Sequence, residues 1–271
     1  MSEMITSLSN PLIKQARALR QKKAREEDGL FLVEGLAHVG SAFEAGWKIE
    51  VVLHAPERLR SDFGRELLEK LELARIRCQP VSAAVFESFA EKENPQGIAA
   101  LVRQRQGSLE DVLAAVSAAH APVFVASVAP QDPGNVGAIL RTLDAVGGAG
   151  LFLLEGGVDP FHPSCVRASM GAIFHIPFAQ ASFADFSAWA AQRDLRLLAT
   201  SARATSDYRQ VRPDGRPLVI VLGSEQKGLS AEQLALCPER LSLPMRGKVS
   251  SLNLAVAAGI LLYAFADLKS S

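Results

Sequence analysis

Leu243-Pro244-Met245-Arg246-Gly247-Lys248-Val249-Ser250-Ser251-Leu252-Asn253 runs directly into the apolar stretch Leu254 to Phe265. The stretch is apolar nearly all round, so it predicts a helix buried in a core or in an oligomer interface. A polar cluster at its mouth puts Ser251 and Asn253 where they can cap orphan backbone N–H groups or face a ligand. Two earlier segments share this layout. Gln131-Asp132-Pro133-Gly134-Asn135-Val136-Gly137 opens a helix, and Val219-Ile220-Val221-Leu222-Gly223-Ser224-Glu225 ends a strand in a polar turn. Three such turns in one half of a chain point to one shared site, because open α/β sheets bind ligands outside the carboxyl ends of their strands.

Working outward, the pattern of strands and helices divides the chain in two. Residues 1–107 read as a small α/β unit with strands around Phe31–Gly35, Ile49–His54, Ile76–Pro80 and Gly97–Val102. Residues 108–121, alanine-rich, read as a linker. In residues 122–271 strands at Val123–Val128, Leu151–Leu154, Arg196–Thr200, Leu218–Leu222 and Leu241–Leu243 alternate with helices, including one around Ser164 to Met170. Such alternation predicts a mainly parallel sheet covered on both faces.

With 271 residues and 48% hydrophobic composition, the chain can bury substantial cores. Its 29 basic and 29 acidic residues balance, so net charge alone does not indicate a nucleic-acid partner. Their distribution says more. Lys14, Arg17, Arg20, Lys22, Lys23 and Arg25 lie between Pro11 and Arg25 with no acidic residue among them. Ser9-Asn10-Pro11 predicts a helix start, so the run is expected on one helix, where like charges repel without a polyanion. These six are the candidate contacts to a phosphate polyanion; the alternative is a solvated face. Three distant cysteines without C-x-x-C spacing argue against a disulfide framework or a zinc site, and the five histidines show no ligand spacing. No metal is expected. A reducing cytoplasm fits, and no run is long enough to span a bilayer. G-x-G-x-x-G, P-loop and G-x-S-x-G signatures are missing, which argues against dehydrogenases, P-loop NTPases and α/β-hydrolases.

Among the three turns, Asn135 and Arg141 could both reach the end of the preceding strand; alternatively Asn135 caps the helix and Arg141 faces solvent. Glu225 could accept from a neighbouring N–H or pair with Arg141. The glycines Gly223 and Gly228 would let a loop backbone approach a ligand closely.

In these turns the chain resembles the SpoU (TrmH-like) branch of the SPOUT class of RNA methyltransferases. The three family motifs are matched in order and spacing by Asp132 through Thr142, Leu222 through Leu229, and Leu243-Pro244-Met245 through Ser251-Leu252-Asn253. Arg167-Ala168-Ser169-Met170-Gly171 is similar to the family as well. The N-terminal segment, with Phe31 through Gly35 and Pro95-Gln96-Gly97, resembles the substrate-binding domain carried by rRNA 2′-O-ribose methyltransferases of this branch, itself similar to ribosomal protein L30e. The chain departs from the usual pattern at Ser224 and Gln226 in the second motif and at Leu143, where a smaller residue is usual.

The resemblance implies an α/β fold with a C-terminal trefoil knot, a homodimer, and S-adenosylmethionine held against Thr200, Leu222, Gly223, Leu243, Met245 and Leu252. It implies a catalytic role for Arg141, with Asn135, Glu225, Ser251 and Asn253 as the polar residues around it, and methyl transfer to a ribose 2′-OH of large-subunit rRNA. A tRNA ribose methyltransferase and a non-catalytic RNA-binding protein of the same fold are the alternatives. A separate N-terminal domain favours rRNA, because the minimal tRNA enzymes of the branch usually lack one.

Overall fold

The computed structural model describes residues 3–91, 94–115, 122–212 and 214–266. It divides into two compact units, Met1–Arg105 with Phe161–Phe174, and Gln106–Pro160 with His175–Ser271.

In the first unit, chain order runs α1 (Pro11–Ala18), α2 (Lys22–Asp28), β1 (Leu30–Glu34), α3 (Leu36–Glu44), β2 (Ile49–His54), α4 (Asp62–Leu73), β3 (Cys78–Pro80), α5 (Ala83–Glu87) and β4 (Ile98–Arg103). The sheet order is β1-β4-β2-β3, with β4 antiparallel to β1 and β2, and β3 parallel to β2. Asn10 caps α1 by accepting from the Leu12 N–H, with Pro11 at the first helical position. One face of α1 buries Ile13 and Ala16 against Leu32, Leu53, Val85 and Phe86.

The basic stretch is not one helix. It breaks at Leu19–Gln21, and α2 starts afresh at Lys22. The reason is Arg25, which is buried and donates from Nη1 to the Leu19 and Arg20 carbonyls at 2.8 and 2.9 Å. A cation here satisfies carbonyls that the end of α1 leaves unpaired and opposes the negative end of its dipole.

In the second unit, α6 (Leu109–Ala114) is followed by β5 (Val123–Val128), α7 (Pro133–Ala145) and β6 (Gly150–Leu154). The stretch read as a linker therefore begins as a helix, started by a Ser108/Asp111 capping box and buried through Val112 in the core of this unit. Residues 116–121, which complete that stretch and include His120, lie outside the described residues. Next comes α8 (Pro163–Ala168), which packs in the first unit. The chain then continues through β7 (Phe178–Ala181), α9 (Phe183–Gln192), β8 (Arg196–Thr200), β9 (Leu218–Leu222), α10 (Ala231–Ala235), β10 (Glu239–Leu241) and α11 (Leu254–Phe265).

All neighbours in the β10-β8-β9-β5-β6-β7 sheet are parallel. The expected parallel sheet is thus present, with β7 as an unforeseen edge strand. The last strand lies at Glu239–Leu241 rather than Leu241–Leu243, held to β8 by paired hydrogen bonds from Arg196 to Glu239 at 2.7 and 2.5 Å. One face of the sheet packs on Phe183, Phe186 and Ala190 of α9. The large Leu143 is accommodated beside Gly148, where a Cβ would stand 2.6 Å from its Cδ2. Because β5 continues to β6 and β7 on one side while β8 and β9 lie on the other, strand order reverses beside β5. That reversal opens a crevice at the carboxyl ends of β5 and β9.

Candidate functional site

A cavity of about 540 Å³ occupies the carboxyl edge of the second sheet. Thr200 ends β8, Leu222 ends β9 with Gly223 directly after it, and Leu243, Met245 and Leu252 come from the segment after β10. All six line the cavity, as do Glu225 and Ser251. Its volume is in the range of about 300–1,000 Å³ typical of small-molecule sites. The leucines and Met245 give it apolar walls. Gly223 is needed for its shape, since a Cβ there would meet the Gly228 carbonyl carbon at 2.3 Å and the Leu229 nitrogen at 2.5 Å. Gly228 takes φ +66 and turns the loop back, donating its N–H to the Ser224 carbonyl at 2.9 Å.

Hydrogen bonds tie the three sequence turns together. Asn253 is the N-cap of α11, its Oδ1 accepting from Ala255 N and Val256 N. Its Nδ2 is therefore left to donate, and it does so to Asn135 Oδ1 at 2.9 Å. Asn135 must then turn its own Nδ2 outward, and that amide donates to Glu225 Oε1 at 3.1 Å. Glu225 also accepts from Gln131 N at 3.2 Å through Oε2. The helix cap thus sets the orientation of every amide in the chain, since each group has one way left to face.

Asn135 does not cap α7; Asp132 does, accepting from Gly134 N at 2.7 Å, and Asn135 is buried one turn in. Nor does Glu225 pair with Arg141. Arg141 lies further along α7, exposed, and makes no hydrogen bond or ion pair among the described residues. Ser251 is exposed at the cavity edge.

The chain matches the SpoU rRNA Methylase family over residues 122–263, which contain the whole of this constellation. It belongs to the SpoU rRNA methylase family. Residues 10–100 match the MRM3-like substrate binding domain. The 23S rRNA (guanosine(2553)-2′-O)-methyltransferase RlmP of Bacillus subtilis is 29% identical over 96% of this chain and 98% of its own length. Among solved structures, the AdoMet-bound rRNA methyltransferase of Sinorhizobium meliloti is 35% identical, with TM-score 0.85 over 97% of this chain and 96% of that one. The SpoU methyltransferase AviRb of Streptomyces viridochromogenes, in complex with AdoMet, has TM-score 0.83 and 29% identity over 94% of this chain and 97% of its own.

Other SpoU-like features fall elsewhere. In the Arg167–Gly171 motif, Arg167 pairs with Glu91 at 3.1 Å, Ser169 Oγ donates to the Val166 carbonyl, and Gly171 at φ +99 lies against Ser41. These contacts are all internal to the first unit, so the motif organises that unit. Among the six N-terminal cations, Arg25 is withdrawn as an RNA contact by its burial. Arg17 and Arg20 donate to the Leu8 and Ala90 carbonyls. Lys22 and Lys23 pair with Glu26 and Glu27 one turn on, which removes the expected self-repulsion. Lys14 alone is exposed with no partner among the described residues.

Sequence reasoning did not single out Gln131 as a backbone donor to Glu225, nor Arg203 and Lys227 on the cavity wall. Their signal was positional, since each lies within a few residues of a strand's carboxyl end. Among the described residues no group of acidic, histidine or cysteine side chains could hold a metal, and no helix is long and apolar enough to cross a membrane.

Proposed function

We propose that this protein is an S-adenosylmethionine-dependent methyltransferase acting on a ribose 2′-OH of 23S rRNA. The observation that carries the reading is the hydrogen-bonded chain Asn253–Asn135–Glu225, which fixes three family motifs around one cavity. The cavity fits the cofactor. Its apolar walls suit an adenine ring, the loop backbone at Gly223 and Leu222 is open to it, and Glu225 contributes an anion to its lining, which would favour a sulfonium cation. Thr200, Leu222, Gly223, Leu243, Met245 and Leu252 would hold it. When bound, S-adenosylmethionine supplies an electrophilic methyl group on a sulfonium.

The residues of this chain supply positioning and charge. A ribose hydroxyl is a weak acid, and guanidinium stays protonated in proteins, so Arg141 serves as a donor rather than a base. It orients the 2′-oxygen and stabilises the negative charge that develops there as the hydroxyl proton passes to a neighbouring RNA phosphate or to water. With no partner of its own, it is available to a substrate. Asn135, Asn253 and Glu225 hold the loops in register, and Ser251 lies at the cavity edge to orient the bound ligand.

The trefoil knot and the homodimer belong to the same reading. After β10, at the sheet edge, the chain returns to place Met245 and Leu252 in the same cavity wall as Leu222, and α11 then packs on α7. Val256 and Tyr263 leave an apolar face of α11 exposed, as a subunit contact requires. We place the protein in the cytoplasm, where its three free cysteines stay reduced. The MRM3-like unit and the full-length match to an rRNA enzyme favour rRNA over tRNA.

The test incubates purified protein with labelled S-adenosylmethionine and total RNA from a strain lacking the gene, and maps label to nucleosides. Label on one 23S rRNA ribose is expected. The Arg141→Ala protein should lose turnover by about two to three orders of magnitude while binding cofactor as before. Lysine at this position should also fail, because it lacks the planar fork. Full activity of Arg141→Ala removes Arg141 from the mechanism, and label on tRNA alone refutes the rRNA assignment.

A further inference from the structure

Most basic side chains of the second unit are already engaged. Arg196 pairs with Glu239, Arg209 with Asp207, Arg216 with Asp214, and Arg193 with Glu110. Arg212 and Arg240 donate to backbone carbonyls. Asp207 is held down to about 2, first by its hydrogen bonds from Arg209 and more weakly by the charge of Arg246.

Among the described residues of this unit, Arg141, Arg203, Lys227, Arg246 and Lys248 are the cations whose side chains make no hydrogen bond and no ion pair, although the charge of Arg246 is felt at Asp207. Arg203 and Lys227 line the cavity, and Arg246 and Lys248 lie on the strand-to-helix segment whose Met245 and Ser250 line it. All are exposed. Glu225 is the acidic residue in the lining, and it is taken up by Asn135 and Gln131. Positive charge without ion-pair partners is thus collected on the cavity wall and on the segment beside it, where it repels itself unless a polyanion is present. The N-terminal helices show the opposite, their cations other than Lys14 being paired, buried or spent on carbonyls.

We propose that Arg203, Lys227, Arg246 and Lys248 form the phosphate-binding surface for the RNA substrate, so that the unit holding the cofactor cavity also supplies most of the backbone affinity. The inference rests on the proposed function for the identity of the polyanion. Phosphates held by these four side chains flank the reacting nucleotide, and Arg141 then meets its ribose. The four act as positioning residues. Because none of the four side chains makes a hydrogen bond or an ion pair, and the backbone hydrogen bonds of Arg203 and Lys227 to Ser201 and Ser224 survive in alanine variants, replacing them removes charge with little loss of fold stability.

The experiment measures binding of fluorescein-labelled oligouridine by anisotropy across a salt series, for the wild type and for the protein carrying Arg203→Ala, Lys227→Ala, Arg246→Ala and Lys248→Ala together. Each lost phosphate contact on a single strand should flatten the slope of log K against log salt by about 0.7, so a change of about 3 is expected. Cofactor affinity by calorimetry should stay within about threefold. A second protein carrying Lys14→Ala, Lys22→Ala and Lys23→Ala should flatten the slope by less than about 1. An unchanged slope in the fourfold variant, or a larger change in the N-terminal one, overturns the proposal. So does a fall in cofactor affinity with RNA binding intact, which would assign the cations to the cofactor's carboxylate. If the wild type binds RNA as expected but no S-adenosylmethionine, the phosphate surface stands and the proposed function falls.

Discussion

The hydrogen bond from Asn253 to Asn135 joins the helix that follows the third motif to the helix that carries the first, and its removal has a calculable cost. In Asn253→Ala two things go: the cap on α11, worth about 1 kcal/mol, and one net amide hydrogen bond, also about 1 kcal/mol. The expected loss is about 2 kcal/mol. Asn135→Ala loses the same bond together with the one to Glu225, which is charge-assisted but exposed to water, for a total of about 2 kcal/mol. The shared bond is counted in both, so the double variant should be less destabilised than the sum by about 1 kcal/mol. Urea unfolding followed by Trp189 fluorescence in a Trp47→Phe background reports on the second unit, where Trp189 packs on Phe152.

Asn253→Asp sharpens the experiment. Aspartate keeps the cap and adds about 0.3–1 kcal/mol from the helix dipole, but it offers Asn135 an oxygen where an N–H is needed. Asn135 could turn over to donate to it, yet would then point its own oxygen at Glu225. Stability should stay near that of the wild type while cofactor binding weakens about fivefold, the equivalent of one lost bond. Costs in the double variant that add within about 0.3 kcal/mol, or cofactor affinity unaltered by Asn253→Asp, would refute the claim that the cap orients the site.

Two further outcomes follow from the cavity and the cores. Gly223→Ala should cost at least about 1–3 kcal/mol and abolish cofactor binding by calorimetry, because the added methyl meets backbone atoms of Gly228 and Leu229 that no rotamer change can move; a variant that binds normally would show that the loop shifts freely. Burial raises the Cys78 and Cys237 thiols to about 11, so both stay protonated well above neutrality. At pH 8 only about one thiol in a thousand is ionised at each site, and alkylation of the native protein at these two positions should be slow and climb about tenfold per pH unit towards 11. Rapid labelling of either at pH 8, located by mass spectrometry, would contradict that environment.

Much of the local structure was legible in the sequence because its causes are local. Asn10-Pro11 starts α1 as the residue types require, and apolar runs such as Leu218–Leu222 lie buried in the sheet. The six apolar and small residues expected around the cofactor line one cavity, because strand-end loops of a parallel sheet converge whatever their detailed path. Other features have no local signature. Phe178–Ala181 lacks the β-branched residues of a strand, and becomes one by pairing with β6. Phe161–Phe174 lies within the family's methyltransferase region but packs among Phe31 and Trp47, a choice made by aromatic contacts more than a hundred residues apart in the chain.

The sequence by itself determined the family, the alternation that makes a parallel sheet, and the three turns that could meet at its edge, since motif order and hydrophobic periodicity are properties of consecutive residues. Only the tertiary structure decided which polar groups face one another. It turned Asn135 from a cap into the middle of a hydrogen-bonded chain, separated Glu225 from Arg141, buried Arg25 under the end of α1, and left the Arg203, Lys227, Arg246 and Lys248 side chains without an ion pair among the described residues. The physical reason is that a charge acquires its meaning from its partner, and partners are set by distances in space that sequence spacing does not fix.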